Sequence, residues 1–593
     1  MKLFTISSLI IFLTIGIFAQ SIPDKWLTPY ELSGFKKTPN YNETMEYCRK
    51  LEKASPWIHI ASLGKSPEGR DMPLIIVSKN KIFDAMKARK SGKGIVLIQN
   101  GIHAGEIDGK DACLMLMRDM AITKTKVALL DNVIVLVLPF YNVDGHERIS
   151  PYNRINQNGP EEMGWRVTAQ NLNLNRDYVK ADAPETQAWL KLYTAWMPDF
   201  LVDCHVTDGA DFQHPVTYSA ENHEDLGMPV RSWLNEQYLP YVKNEMQKLG
   251  EPLVPYVNLK DEHDFSKGLT EGVPPPRFST AYAALQNRPS LLIETHMLKD
   301  YKTRVTGTYD LLNATLKKVN TDYKILRDEI SETDKNTAIK LENPFPLKWE
   351  LVDAPNGTVH FLGYKSNIVK SDISGADKVV WTHEPLNLDI PLYDSVKVSA
   401  SVTPPVAYII PQQWQEIISR LKMHGVLLEK LDQPIELEVE LYKFSNAKWQ
   451  QNPYEGHHPV QYTTTAFTEK RTYPAGTIIA KMNQRAARIL LHTLEPNAPD
   501  AFVAWGFMDV IFEQKEYAEG YVLEKMAPDM LAKDPALKTE FESKLRSDTA
   551  FAHSPYARLN FFYKHSPYWD QTLNVYPIAR LMKNVELPVV SLK

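Results

Sequence analysis

His103 and Glu106 stand three residues apart in Gly101-Ile102-His103-Ala104-Gly105-Glu106, directly after the apolar run Gly94-Ile95-Val96-Leu97-Ile98-Gln99. A histidine and a glutamate at that spacing, held at the end of a buried strand, can reach one metal ion. Imidazole nitrogen with carboxylate oxygen is a donor set that zinc accepts readily. Four letters with two fixed positions are weak on their own. A second copy, His492-Thr493-Leu494-Glu495, stands beside Pro496-Asn497-Ala498-Pro499. Position has to separate the two.

Two further apolar runs end in a residue of the same chemistry. Pro198-Asp199-Phe200-Leu201-Val202-Asp203-Cys204 leads into His205, and Ser290-Leu291-Leu292-Ile293 leads into Glu294. In open α/β sheets the carboxyl ends of the strands form the ligand crevice, so one sheet edge gathers two histidines and two glutamates. A catalytic zinc site takes three protein ligands and keeps a position open. His103, Glu106 and His205 supply the three, and Glu294 is left to activate water. His492 and Glu495 have no partner of this kind.

The elements that must position these residues read as alternating strands and helices between about 70 and 300. Strands are expected over 74–77, 95–99, 133–138, 200–204 and 291–293, with helices over 41–53, 107–120 and 185–196. Continuous apolar strands separated by helices indicate α/β layering around a buried sheet. Residues 302–340 are charged and helix-like, and Asn343-Pro344-Phe345-Pro346 punctuates the chain. The expected organisation is a catalytic region over 20–340 and an accessory C-terminal region over 345–593. Residues 345–480 of the latter are strand-rich, interrupted by a helix over 412–423, and 483–593 are mainly helical. Trp505, Tyr568 and Trp569 are expected in its core.

The bulk properties bound the function. With 593 residues the chain exceeds one hydrophobic core. A net charge of -5 with 23% charged residues gives no sign of nucleic-acid binding. Three cysteines, Cys48, Cys113 and Cys204, do not make a disulfide framework. Met1-Lys2-Leu3, the apolar run over 9–18 and Ala19 before Gln20 read as a secretory signal peptide over 1–19. An exported, periplasmic or extracellular protein with no membrane span in the mature chain is expected.

Over residues 40–305 the chain resembles the zinc metallocarboxypeptidases of the carboxypeptidase A-like type. Gly69-Arg70 before a strand, the His103-x-x-Glu106 motif, Asn142-Val143-Asp144-Gly145, Asn171-Leu172-Asn173-Leu174-Asn175-Arg176, His205 and Glu294 occur in the family's order. The resemblance implies a three-layer α/β/α mixed sheet, one zinc ion per chain and peptide substrates with a free C-terminal carboxylate. It implies that Asn175 and Arg176 hold that carboxylate, which suits the bidentate geometry of a guanidinium. It also implies that Arg166 stabilises the developing oxyanion, with Arg154 as a competitor for that role, and that Glu294 is the general base. An ion pair with Asp177 is the structural alternative for Arg176. Three departures accompany it. Asn173 stands where the family often has an acid that orients a zinc histidine. Gly105 replaces an arginine, and the family's substrate tyrosine has no clean match, Tyr282 being the nearest. The leading expectation is a carboxypeptidase. The alternatives are a cell-wall stem-peptide hydrolase or an amidohydrolase of acylated amino acids on the same zinc site, and a non-catalytic binding protein.

Overall fold

The computed structural model describes residues 22–221 and 225–592. The signal-peptide expectation falls outside them. Among the described residues no helix is long and apolar enough to cross a membrane.

The first nine strands are β1 (Ile58–Lys65), β2 (Asp71–Val77), β3 (Gly94–Asn100), β4 (Val133–Leu138), β5 (Phe200–Thr207), β6 (Val216–Ser219), β7 (Val254–Pro255), β8 (Leu269–Thr270) and β9 (Ser290–His296). All but β8 form one mixed sheet in the order β1-β2-β4-β3-β5-β9-β6-β7. β4, β3, β5 and β9 run parallel to one another, β1 and β2 join antiparallel at one edge, and β6 pairs antiparallel with β9 at the other. β3 and β4 are buried at every residue, as an unbroken apolar strand requires when both sheet faces are covered. Alternate side chains feed two separate clusters. Val96 and Ile98 join one, and Ile95 and Leu97 join the other.

The helices that cover the sheet begin where their sequences allow. Tyr41–Ala54 starts from an Asn40–Glu43 capping box, and Pro184–Trp196 carries proline in its first turn. Asp108–Ala121 comes so near β5 that a Cβ on Gly109 would lie 2.5 Å from that of Cys204. The charged segment after β9 is one helix of 39 residues, Tyr301–Ile339.

The chain then turns strand-rich. β10 (Phe345–Leu351) pairs with β13 (Val396–Val402), and the long hairpin β11 (Gly357–Lys370) and β12 (Asp377–Tyr393) lies between them in sequence. β8 joins this hairpin, parallel to β12, through Leu392↔Leu269 and Tyr393↔Thr270. A second hairpin, Ile435–Trp449 with Val460–Tyr473, belongs to a seven-stranded sheet. The expected helix over 412–423 begins later, at Gln415. Helices then dominate, among them Ala487–Leu494 and Gly520–Lys533.

Besides two clusters of its own, around Val439 and Phe541, the C-terminal region shares a core with the eight-stranded sheet. The cluster that contains Ile95, Leu97, Trp189 and Tyr282 continues through Ile410, Leu421, Leu490, Phe502 and Tyr576. Trp505 is buried, as expected for a core aromatic, whereas Tyr568 is 74% exposed.

Candidate active site

β3, β5 and β9 end side by side, and the register pairs His205 with Glu294. Immediately after β3, the turn carrying His103 and Glu106 enters the helix Asp108–Ala121. Ligand atoms of His103, Glu106 and His205 all lie within 4.8 Å of one another, and the three residues are buried. Glu106 stands at the centre. Its Oε1 faces His103 Nδ1 at 3.0 Å, and its Oε2 faces His205 Nδ1 at 3.0 Å and accepts the Val206 N–H at 3.1 Å.

The far side of each imidazole is held by an oxygen. His103 Nε2 lies 3.2 Å from Asn173 Oδ1, and His205 Nε2 lies 2.9 Å from Asp203 Oδ2. Those oxygens would accept the Nε2 protons of two neutral imidazoles and leave both Nδ1 atoms, which face Glu106, for a metal ion. Two imidazole nitrogens and a carboxylate converging in this way fit a zinc ion. Asn173 fills the orienting role with an uncharged amide, so only His205 has a carboxylate behind it.

Arginines and burial set the electrostatics. Arg154 Nη2 lies 2.7 Å from Glu106 Oε1, and Arg166 Nη1 lies 3.5 Å from the same oxygen. Burial alone would raise the Glu106 carboxyl, but His103, Arg154 and the hydrogen bonds of both imidazoles hold it well below the usual range. Burial pushes His103 down to about 4. Glu294 is pushed up to about 8, first by burial and then by the neighbouring carboxylates of Glu106 and Asp203, against the pull of His205. Its Oε2 has no hydrogen-bond partner among the described residues. A buried carboxyl that titrates near neutrality suits proton transfer.

Gly105 is explained by the same loop. A Cβ there would lie 2.6 Å from Arg154 Cγ and 2.7 Å from the Gly164 carbonyl oxygen. The Arg154 stem occupies the space above it and delivers its guanidinium to Glu106. Arg166, not Arg154, lines the cavity.

That cavity has a volume of about 300 Å³ and is lined by His103, Glu106, His205, Glu294, Arg166, Asn175 and Arg176. Asn175 and Arg176 stand in a short helical turn started by Asn173, whose Oδ1 accepts the Asn175 N–H at 3.0 Å. The Arg176 guanidinium lies 4.1 Å over the Phe278 ring. The structural alternative for Arg176 does not occur, because Asp177 pairs with Lys180 at 2.8 Å.

Tyr282 is corrected. It sits in the helix Ser279–Leu285, fully buried, with its hydroxyl 3.0 Å from His424 Nδ1 and 2.9 Å from Gln286 Nε2, among Tyr178, Trp189 and Tyr193. It does not line the cavity. Tyr256 does, together with Ser219, Asn258, Thr270 and Glu271. These were missed because they lie on short strands and loops with no apolar run to mark them. The second His-x-x-Glu copy is also settled. Glu495 pairs with Arg580 at 3.0 Å and takes the Tyr442 hydroxyl at 3.1 Å, while both His492 nitrogens are buried without a partner.

The C-terminal region reaches the site at two points. The Tyr393 carbonyl accepts the Glu271 N–H at 2.9 Å. Glu455, in the loop between the strands of the second hairpin, accepts the Asn173 N–H at 3.3 Å, and the Tyr454 hydroxyl engages Arg176.

Residues 44–254 match the family described as zinc carboxypeptidase. Carboxypeptidase 2 of Trichophyton rubrum is 24% identical over 498 residues, covering 80% of this chain and 85% of its own. Carboxypeptidase 2 of Trichophyton tonsurans is 24% identical over 499 residues with the same coverage. Among solved structures, a metallo-carboxypeptidase from Burkholderia cenocepacia aligns with a TM-score of 0.35 at 16% identity, over 47% of this chain and 69% of its own. Carboxypeptidase A from Helicoverpa armigera aligns with a TM-score of 0.36 at 16% identity, over 49% of this chain and 75% of its own. Glu294 lies beyond the span of the family match and is joined to it by the sheet register. Residues 44–254 thus carry a zinc carboxypeptidase domain, which with the curated relatives indicates a metallocarboxypeptidase hydrolase.

Proposed function

We propose that this site removes the C-terminal residue of peptides, with one zinc ion per chain and Glu294 as general base. The apolar run over 9–18 supports an exported enzyme. The observation that carries the reading is the lining of one cavity by three metal-fitting residues, an unpartnered buried carboxylate and an Asn–Arg pair.

Arg176 pairs with the substrate's terminal carboxylate and Asn175 adds an amide contact, which fixes the scissile bond one residue inward. His103, Glu106 and His205 would hold the zinc, which would supply Lewis-acid polarisation and a lowered pKa for water. Glu294 takes the proton from the attacking water. Arg166 faces the cavity and offsets the negative charge that develops on the carbonyl oxygen. Glu294 then gives the proton to the departing amine, so the base is restored without a covalent intermediate.

Release of the last amino acid from linear peptides tests this. Zinc-loaded protein is expected to cleave a peptide acid and to leave its C-terminal amide intact. Glu294→Gln is expected to lose about 10²- to 10⁴-fold in kcat while retaining one zinc by metal analysis. Cleavage of the amide at an equal rate, or full activity in the variant, would refute the reading.

A further inference from the structure

We infer that Glu271 makes the cavity selective for a basic C-terminal side chain, lysine or arginine. The inference rests on the carboxypeptidase reading above and concerns which residue that site accepts.

The metal-fitting residues and the two arginines account for most of the charge in the cavity. Besides Glu294, two acids remain, Asp208 and Glu271. Asp208 is exposed at the rim. Glu271 is inside. Its Oε1 accepts the Ser219 hydroxyl at 3.3 Å, and among the described residues no lysine, arginine or histidine forms an ion pair with it. Lys243 acts on it only from a distance, with its ammonium 5.1 Å over the Tyr218 ring. Glu271 is half-buried, and burial with a smaller push from Asp394 raises its carboxyl to about 7 against the pull of Ser219 and Lys243.

The strands give its depth. On β6, Thr217 faces Glu294 and Ser219 faces Leu292, so the two pairs are two residues apart along the sheet. That separation is about 7 Å. Glu294 marks the level of the chemistry and Ser219 the level of the Glu271 carboxylate. An extended lysine or arginine side chain spans that gap. Leu292, at the Ser219 level, and Pro274 also line the cavity and offer apolar surface to its methylene stem. The carboxylate then gains the cation it lacks. A neutral side chain leaves it unpaired, and an acidic one is repelled. The position is fixed from the C-terminal region, since the Glu271 N–H donates to Tyr393 on β12.

The test compares kcat/KM of the zinc-loaded protein for peptides differing only in the last residue: arginine, lysine, leucine or glutamate. Arginine and lysine are expected to exceed leucine by at least about 10-fold. In Glu271→Gln the arginine-to-leucine ratio is expected to fall to near one, and in Glu271→Lys the glutamate peptide is expected to overtake arginine. A preference for leucine in the wild type, or an unchanged ratio in Glu271→Gln, would overturn the inference. Calorimetry with free L-arginine and L-leucine decides the pocket separately. Arginine binding that weakens at least about 10-fold in Glu271→Gln supports it even if no peptide is cleaved, an outcome that would refute only the hydrolytic reading. Equal binding of both amino acids overturns it.

Discussion

Asn173 illustrates how one side chain tunes the centre. It holds His103 Nε2 with a neutral oxygen, whereas His205 is held by the carboxylate of Asp203. A carboxylate behind an imidazole makes it a more basic ligand. Asn173→Asp is therefore expected to tighten zinc binding, and Asn173→Ala to weaken it by about 10- to 100-fold; competition with a chelator measures both. The metal-fitting residues and Glu294 were legible in the sequence because each follows an apolar run, and sheet geometry brings such positions to one edge. Tyr282 was misread because its place depends on a neighbour more than a hundred residues away: His424 meets its hydroxyl and keeps it in the core. Glu271 was not legible for a similar reason. The two-residue strand that leads to it is set by pairing with β12, a partner no local pattern announces.

At the scale of elements, the layered sheet was legible because β3, β4, β5 and β9 carry unbroken apolar runs. The two hairpin arms that touch the site were not, since their long strands alternate like any half-solvated sheet. The loop of the second hairpin acts on the site through two side chains, the Glu455 carboxylate and the Tyr454 hydroxyl. Glu455 accepts the Asn173 N–H, and Asn173 in turn caps the turn that presents Asn175 and Arg176. Glu455→Ala is expected to raise KM for peptide acids several-fold with a smaller change in kcat, because in the proposed function the loosened turn binds the terminal carboxylate and takes no part in proton transfer. Steady-state kinetics separates the two parameters, and a fall in kcat alone would contradict this role.

For the whole molecule, the governing fact is a core shared across residue 343. His424 lies in that junction, with Nε2 2.9 Å from the Val179 carbonyl and Nδ1 facing Tyr282. Burial, with a smaller push from Arg420, lowers its pKa to about 4, against about 6.5 in an unfolded chain. Between those values the unfolded chain binds the extra proton, so the stability His424 contributes is complete above about pH 6.5 and is lost as pH falls toward 4. The loss is on the order of 3 kcal/mol. Urea unfolding at pH 7 and pH 4.5 is expected to show a smaller acid-induced drop in His424→Gln than in the wild type. An ionic joint stands beside it: Asp182 meets Arg420 at 3.1 Å and His457 at 2.7 Å. The shared core also sets the order in which a newly made chain becomes competent. Every residue argued to touch substrate precedes Thr295, yet the cluster behind the sheet is closed by Tyr576 and Ile578. A chain still emerging from the ribosome has all its catalytic groups long before it can bury the face that supports them. Burial of the face that supports the site thus waits for synthesis of residues 576–578, and a chain stopped before them would present an apolar surface there.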